Sequence, residues 1–376
     1  MRIILQICLA FCILIVSACE NDFITDIGNS PDVEVEDTTE YLKVLCIGNS
    51  FTEDAFGYLP YIMKNLTPDI NLKLGVAYYG SSTLAHHYAS IKAEDCVVGN
   101  DTFPSQPYQC YYKNVNAGVW QPQYGVYAID VLIDEKWDII TFQQGSAHYY
   151  SDFDIYYKSC IDSIQQLVVS KIGYEPVFGW VLTHGVYLED NADIFYRSWE
   201  KSAQNSRKVI EDGRASLLFP YGTAVENLRT RLGMLGDGSY FNLTADNFHL
   251  QDGIGCLAAA YSNALALYEY LGIYDVGIEY DSLVVDYDFL ANNDIPSLHL
   301  GISGIIGITP ENVRLAKSAA IEAVKQPYSV TYIKDADDSG SGEGDGTGSD
   351  GDSGEGSGDE GGDSSADGGV AGGIGD

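Results

Sequence analysis

A short apolar run that ends in a polar turn constrains the fold more than any other stretch of the chain. Residues 44–47 are continuously apolar and are followed by Gly48. Such a run is typical of a parallel strand that is buried on both faces. From Glu53 onward apolar residues recur at helical spacing, and Thr52 is the predicted N-cap of that helix. The pattern therefore places Ser50 on a strand-to-helix turn, at the carboxyl end of a central strand.

Apolar runs and helical patterns alternate along most of the chain. Strands are predicted at residues 44–47, 71–79, 137–142, 176–182 and 216–220, and helices at residues 53–66, 82–93, 126–135, 154–169, 193–212, 251–271 and 310–324. Strands that alternate with helices indicate an α/β fold whose parallel sheet is covered on both faces. Residues 95–120, rich in Asn, Pro, Gly and Tyr, interrupt this rhythm and are predicted to be an insertion that contains a hairpin beside the site.

The first 40 residues are not expected to belong to the folded domain. Arg2 precedes an apolar stretch, residues 3–16, that is too short for a comfortable membrane span. The stretch is followed by Ser-Ala-Cys, and this ending resembles a bacterial lipobox, in which cleavage leaves a lipidated cysteine; a plain signal peptide with a chance cysteine is the alternative. We expect a lipoprotein signal peptide at residues 1–18, then lipidated Cys19 and a polar tether to residue 40. A lipid membrane is thus an expected partner, and the expected location is the cell envelope, periplasmic or surface-exposed.

Charge and composition delimit the remaining regions. The chain has 54 acidic and 20 basic residues and a net charge of −34, which argues against a nucleic-acid partner. Residues 335–376 consist mainly of Gly, Asp, Ser and Glu, so we predict a disordered acidic tail, with weak calcium binding as the minor alternative. The domain itself is expected at residues 41–334.

A second polar stretch, far downstream, bears on the role of Ser50. Asp246 and His249 are three positions apart and precede an apolar helix. Asp246-x-x-His249 resembles the last block of the SGNH (GDSL-type) hydrolase superfamily, and Gly48-Asn49-Ser50-Phe51 resembles its first block, which normally reads Gly-Asp-Ser. The resemblance covers roughly residues 42–330. It implies a three-layer α/β/α flavodoxin-like fold with a central parallel sheet.

Two weaker stretches extend the resemblance. Gly80 resembles the second-block glycine, whose N–H stabilises an oxyanion. The sequence around Ser50, together with Gln-Gln-Gly-Ser at residues 143–146, resembles a bacterial lipoprotein branch described as a domain of unknown function. SGNH-like carbohydrate esterases are the nearest characterised relatives that this resemblance implies.

The paired blocks imply a serine hydrolase. A serine hydroxyl needs a base to accept its proton, and histidine suits that role because its ordinary pKa of about 6.5 lets it accept and return a proton near neutrality. The predicted catalytic residues are Ser50 as nucleophile, His249 as base and Asp246 as the carboxylate that orients the imidazole. Without Ser50, Asp246 would be interpreted as a helix cap and His249 as a surface residue. No spacing of residues indicates a metal site, and no cofactor is expected.

The oxyanion donors follow from the resemblance. The N–H groups of Ser50 and Gly80 are the implied backbone pair. The third block normally supplies an asparagine, but that position falls on Ala147 here. We assign the role to Gln144, as in the Gln-Gly-Glu stretch of SGNH carbohydrate acetylesterases, with Gln143 as the second candidate. In the alternative interpretation, both glutamines have no catalytic role and their amides are hydrogen-bonded within the protein at the end of a strand.

Four further residues are predicted to be possible substrate contacts, because they lie close to the expected site in the sequence or end a predicted strand: Asn49, Gln143, His148 and His184. Cys96 and Cys110 flank part of the insertion, and whether they pair in an oxidising compartment is left open.

These observations predict an extracytoplasmic serine esterase. It is expected to deacetylate or otherwise de-esterify a carbohydrate through an acyl-enzyme, with a small-molecule or glycan ester as its partner. The alternative is a glycan-binding surface lipoprotein that retains the SGNH-like fold but does not catalyse hydrolysis of a substrate.

Overall fold

The computed structural model describes residues 39–186, 193–234, 243–244, 246–273 and 308–331. All of these residues belong to one unit of the chain. The expected signal peptide, nearly all of the tether and the acidic tail lie outside the described residues. No helix within the described ranges is long and apolar enough to cross a membrane.

Strands and helices alternate much as the sequence predicts. The strands are β1 (Leu42–Gly48), β2 (Leu72–Tyr78), β3 (Cys96–Val98), β4 (Asp101–Phe103), β5 (Tyr108–Val115), β6 (Gln121–Val126), β7 (Ile139–Phe142), β8 (Val177–Val181) and β9 (Leu217–Phe219). The α-helices are α1 (Ser50–Phe56), α2 (Leu59–Leu66), α3 (Leu84–Lys92), α4 (Ala128–Ile133), α5 (Ser159–Ile172), α6 (Asp193–Glu211), α7 (Tyr221–Met234), α8 (Ile254–Tyr270) and α9 (Pro310–Lys325). A 3₁₀ turn (Ser146–His148) and a π-helical turn (Asp154–Lys158) precede α5.

The central sheet has the strand order β6-β5-β2-β1-β7-β8-β9. The five strands β2-β1-β7-β8-β9 pair in parallel, and β1, between β2 and β7, is the central strand of the whole seven-stranded sheet. This parallel part has the flavodoxin-like order and confirms the predicted α/β class. The whole sheet is mixed rather than parallel, because β5 and β6 add to its β2 edge in antiparallel orientation. The predicted insertion thus extends the sheet, and β3 and β4 form a separate hairpin.

Side chains of β1 alternate between two cores. Val44 and Cys46 pack into the cluster that contains residues of α1, α2, α7, α8 and α9. Leu45 and Ile47 face the opposite cluster, which contains residues of α3, α4 and α5. The sheet therefore has helices on both faces, and its continuous apolar strand is buried on both sides, as such a run requires.

The turn after β1 differs in detail from the prediction. Asn49, not Thr52, is the N-cap, and its Oδ1 accepts a hydrogen bond of 3.0 Å from Phe51 N–H. A Cβ atom at Gly48 would overlap the Thr52 hydroxyl, so only glycine allows α1 to begin this close to the strand. The predicted single helix is two helices, because α1 ends at Phe56 and α2 begins at Leu59.

The cysteines of the described residues are free thiols. Cys96 in β3 and Cys110 in β5 are both buried and do not pair. The Cys96 thiol instead lies 3.4 Å from the Ala85 carbonyl oxygen, as a weak hydrogen-bond donor.

Candidate active site

The carboxyl end of β1 presents Ser50 at the first position of α1. Its side chain is half-buried, whereas every following residue of α1 is buried. The N–H groups of a first helical turn have no carbonyl partner within the helix, and they lie at the positive end of the helix dipole. The turn therefore places the Ser50 hydroxyl at the positive end of the helix dipole, while the N–H groups of Phe51 and Thr52 are bonded to Asn49.

Asp246 and His249 lie on one tight turn before α8. Asn247 takes a positive φ of 70°, which bends the backbone sharply. Asp246 Oδ1 accepts hydrogen bonds from the N–H groups of Phe248 at 3.0 Å and His249 at 2.8 Å. The turn thus fixes the carboxylate and the imidazole relative to each other.

The structure brings three of the predicted residues together. His249 Nε2 lies 2.8 Å from Ser50 Oγ, and His249 Nδ1 lies 2.6 Å from Asp246 Oδ2. Because a carboxylate oxygen only accepts, Nδ1 carries the proton and Nε2 is the acceptor for the serine hydroxyl. A neutral imidazole in this tautomer has the orientation that a general base requires.

The electrostatics keep Asp246 ionised. Partial burial acts to raise the pKa of its carboxyl group. Hydrogen bonds from the His249 N–H, the His249 imidazole and the Phe248 N–H outweigh burial, so the pKa lies below its ordinary value. A charged carboxylate therefore faces the imidazole at neutral pH and would stabilise its protonated form.

The N–H of Gly80, the predicted second oxyanion donor, is hydrogen-bonded within the protein. This group donates a hydrogen bond of 3.1 Å to Oε1 of the exposed Gln109 side chain on β5. The sheet extension thus reaches the carboxyl end of β2, as expected of a segment beside the site. A substrate oxygen that used the Gly80 N–H would replace the Gln109 oxygen.

Gln144 does not present its amide to Ser50. Its Oε1 accepts hydrogen bonds from Leu84 N–H at 3.1 Å and Gly145 N–H at 3.0 Å, and its Nε2 donates to the Tyr156 carbonyl at 2.8 Å. The side chain is buried and acts as a strand-end amide that joins three backbone segments. The assignment of Gln144 as oxyanion donor is corrected on this ground.

Gln143, the second candidate, contacts Asn49, the residue before Ser50. Its Nε2 donates a hydrogen bond of 2.5 Å to Asn49 Oδ1, and Asn49 Nδ2 donates to the Ser82 carbonyl at 2.9 Å. Both side chains are buried. They brace the turn that carries Ser50, and neither is placed as an exposed contact for a substrate.

His148 is placed as an accessible residue near the carboxyl ends of the strands. The ring is half-buried and stacks on Tyr156, with centroids 4.4 Å apart, while Nδ1 lies 2.8 Å from the Ser151 hydroxyl oxygen. Burial lowers the pKa of its imidazole, and Asp101 acts in the opposite direction. His148 is therefore neutral at pH 7, and its role as a substrate contact stays a prediction.

His184 is not a substrate contact. Its side chain is fully buried, Nε2 lies 2.6 Å from the Phe248 carbonyl oxygen, and Nδ1 lies 3.1 Å from the Tyr221 hydroxyl oxygen. Both ring nitrogens are thus used within the protein. The position after β8 suggests a site residue, but it does not reveal that α7 and the His249 turn cover the ring.

Sequence reasoning missed two residues that contact the site. Asp54 on α1 is buried, and its Oδ2 accepts a hydrogen bond of 3.1 Å from Leu250 N–H. The available signal is a carboxylate on a short helix that also carries apolar residues, although the sequence pattern places Asp54 in the first turn of a helix from Glu53, where the helix dipole alone explains a carboxylate. Gln109 gives no such signal, because it is an exposed polar residue on a segment that lacks a clear pattern.

No group of three or more His, Cys, Asp or Glu residues able to hold a metal ion occurs within the described ranges. The site instead consists of three side-chain groups in contact: the hydroxyl of Ser50, the imidazole of His249 and the carboxylate of Asp246.

A family model described as "Domain of unknown function (DUF4886)" matches residues 43–271. A crystal structure of a DUF4886 family protein from Bacteroides uniformis is similar, with a TM-score of 0.56, 23% identity, and coverage of 78% of this chain and 98% of that chain. This similarity supports the fold.

Two more distant structures are similar over part of this chain. One is a catalytic mutant of Axe2, an acetylxylan esterase from Geobacillus stearothermophilus, with a TM-score of 0.36, 11% identity, and coverage of 62% of this chain and 94% of that chain. The other is BT4096, a gut microbial diltiazem-metabolizing enzyme, with a TM-score of 0.33, 10% identity, and coverage of 62% and 47%. No curated protein matches this chain.

Proposed function

This chain belongs to the DUF4886 family, and we propose that it is a serine esterase with Ser50 as its nucleophile. The observation that carries the proposal is the continuous chain of contacts from Ser50 Oγ through His249 to Asp246, at 2.8 and 2.6 Å. A hydroxyl, an imidazole and a carboxylate in this order form the arrangement that activates a serine.

The reaction has two halves. Ser50 Oγ attacks the ester carbonyl carbon as its proton passes to His249 Nε2, and the tetrahedral intermediate then expels the alcohol, which takes the proton from the imidazole. The acyl group remains on Ser50. Water attacks this acyl-enzyme with His249 again as base, and the carboxylic acid leaves. Asp246 stabilises the imidazolium in both halves.

The negative oxygen of each intermediate requires donors. We assign the N–H of Ser50, at the start of α1, and the N–H of Gly80. The Gly80 N–H is bonded to Gln109 Oε1, so a substrate that used this N–H would displace the Gln109 side chain. No side-chain donor is assigned, because the amides of Asn49, Gln143 and Gln144 donate within the protein.

The proposed substrate class is an acylated small molecule or glycan, with acetylated carbohydrate as the first choice. Support comes from the half-buried rings of His148 and Tyr156, which stack on each other at the carboxyl-end loops. Aromatic rings with partly accessible faces suit the apolar faces of sugars. The expected exported location agrees with an extracellular glycan substrate.

The test is to label the full chain with a fluorophosphonate and to locate the label by mass spectrometry, alongside hydrolysis of a short-chain aryl ester and of acetylated glycans. We expect the label on Ser50. Ser151 provides an internal comparison, because its Oγ also lies 2.8 Å from a histidine nitrogen, Nδ1 of His148. It should stay unlabelled, because burial lowers the pKa of the His148 imidazole and makes it a weaker base.

Variants refine this experiment. Ser50→Ala and His249→Ala should each lower turnover by several orders of magnitude, and the double variant should be little worse than either single variant, because residues that act as a unit are not additive. Asp246→Asn keeps an oxygen for the two backbone N–H groups but turns an NH₂ donor towards Nδ1 of His249. The proton then moves to Nε2, which can no longer accept from the serine, so the loss should be large but still smaller than that of Ser50→Ala or His249→Ala. A parent protein that binds acetylated glycans, resists labelling and cleaves no ester would support the glycan-binding alternative instead.

A further inference from the structure

The turn that carries His249 is tied to the fold on both sides of the imidazole. On one side, the Phe248 carbonyl accepts a hydrogen bond from His184 Nε2 at 2.6 Å. On the other side, Leu250 N–H donates to Asp54 Oδ2 at 3.1 Å. His184 and Asp54 have relative exposures of 0% and 1%, so solvent does not compete for either bond.

The His184 ring is itself fixed. Because a carbonyl only accepts, Nε2 carries the proton, and Nδ1 is left to accept from the Tyr221 hydroxyl at 3.1 Å. The Phe51 ring contacts the His184 ring edge-on, with centroids 4.8 Å apart. A Cβ atom at Gly222 would overlap the Thr183 carbonyl, so the glycine lets α7 approach and places Tyr221 against the ring.

The same contacts join the turn to the nucleophile. Asp54 lies on α1, one turn after Ser50, and Phe51 follows Ser50 directly in the chain. The Tyr221 hydroxyl also lies 3.4 Å from the Phe51 carbonyl oxygen. The element that holds the serine and the turn that holds its base are therefore joined by the buried hydrogen bond from Leu250 N–H to Asp54 and by the contacts of His184 and Tyr221 with Phe51.

We propose that His184 and Asp54 are positioning residues that clamp the backbone on either side of His249 and thereby set the imidazole against Ser50. The proposal rests on the proposed function. Neither residue touches the substrate or the reacting atoms. A misplacement of a catalytic group by about 1 Å can reduce a rate about 10²-fold, so a clamp of this kind controls turnover without contributing to binding.

Two substitutions of His184 separate the hydrogen bond from simple packing. His184→Phe retains an aromatic ring against Phe51 but loses the donor to the Phe248 carbonyl. His184→Gln retains a donor near the position of Nε2. We expect His184→Phe to lower kcat on an aryl ester about 10–100-fold with KM unchanged, and His184→Gln to recover most of the loss.

A matched pair tests the other side of the clamp. Asp54→Asn retains an oxygen that can accept from Leu250 N–H, whereas Asp54→Ala does not, so only the alanine variant should show the large loss of kcat. Asn227→Ala serves as the control, because Asn227 on α7 is also buried and donates to a backbone carbonyl, that of Ala319, at 3.1 Å. Its turnover per folded molecule should equal that of the parent, with folding checked by thermal melting.

A spectroscopic readout distinguishes failure of this proposal from failure of the proposed function. We expect the Nδ1–H proton of His249, bonded to Asp246 at 2.6 Å, to give a downfield proton NMR signal that does not depend on any substrate. We expect His184→Phe to weaken or shift this signal and His184→Gln to keep it. If the parent protein is not labelled by the fluorophosphonate and hydrolyses no ester, the esterase proposal fails. The NMR signal still shows whether His184 positions the His249 imidazole.

The clamp is overturned if folded His184→Phe retains the parent signal and a turnover within about twofold of the parent, since a misplaced base should cost far more. It is also overturned if His184→Gln is as impaired as His184→Phe, since the bond to the Phe248 carbonyl would then be irrelevant.

Discussion

At the residue scale, the sequence identifies the side chains that meet but not the directions in which neighbouring side chains point. The strand-to-helix turn made Ser50 conspicuous, but its meeting with Asp246 and His249 was predictable only because both stretches resemble blocks of the SGNH (GDSL-type) hydrolase superfamily. Gln143 and Gln144 were not separable, because consecutive residues at a strand end point to opposite faces of the sheet. Gln143 faces Asn49, and Gln144 faces the backbone of Leu84 and Tyr156.

His184 makes the folded protein sensitive to acid. Burial lowers the pKa of its imidazole to about 4 from an ordinary 6.5; the charge of Asp54 opposes this shift, and Arg229 and His249 reinforce it. These charges come from α1, from α7 and from the His249 turn, and the Tyr221 hydroxyl on α7 also faces the ring. Between these two pKa values the unfolded chain binds a proton that the folded chain does not, so the free energy of unfolding falls as pH falls.

We expect urea unfolding at pH 7 and pH 5 to show this difference. The parent should lose about 2 kcal/mol more than His184→Gln over that interval, because each pH unit within the window corresponds to about 1.4 kcal/mol. His87, whose pKa burial lowers to about 3, contributes equally to both proteins and cancels. Equal losses in the two proteins would show that folding does not lower the pKa of His184.

At the element scale, the parallel strands were predictable and the antiparallel extension was not. Continuous apolar runs indicate strands that are buried on both faces. Strand β6 has the sequence Gln-Pro-Gln-Tyr-Gly-Val and is exposed over nearly its whole length, as an edge strand that contains proline can be. Its place in the sheet depends on pairing with β5, which no local sequence pattern records.

The strand-to-helix turn offers a test at this scale. Gly48→Ala should lower the free energy of unfolding by about 1–3 kcal/mol, because the new methyl group would overlap Thr52 and crowd Gln143, and it should also lower turnover by displacing Ser50. Gly255→Ala on α8 is the matched control. The nearest atom to its new Cβ would be the Leu243 carbonyl oxygen at 3.5 Å, which is ordinary contact. Chemical denaturation of both variants provides the measurement, and equal stabilities would contradict the tight approach at Gly48.

At the scale of the whole molecule, the regions outside the described residues carry the predictions about location. The acidic tail at residues 335–376 stays a prediction from composition. The lipobox resemblance predicts that the full chain, expressed in a bacterial host, partitions into detergent with the membranes, and that Cys19→Ala releases it. Cys110→Ala is the control, because this cysteine is buried within the fold and should not affect partitioning. Retention of the Cys19→Ala protein in the detergent phase would contradict lipid anchoring.

The contact between Ser50 and His249 joins positions 199 residues apart in the chain. During synthesis the amino-terminal part of a domain emerges first, and contacts between distant segments must wait until both have emerged. Closing so long a loop also carries an entropic cost that local strand and helix formation does not. The serine thus leaves the ribosome well before the histidine that would act as its base in the proposed mechanism. A truncated chain that ends before Asp246 contains the Ser50 hydroxyl but not the groups proposed to activate it, and it is not expected to be acylated.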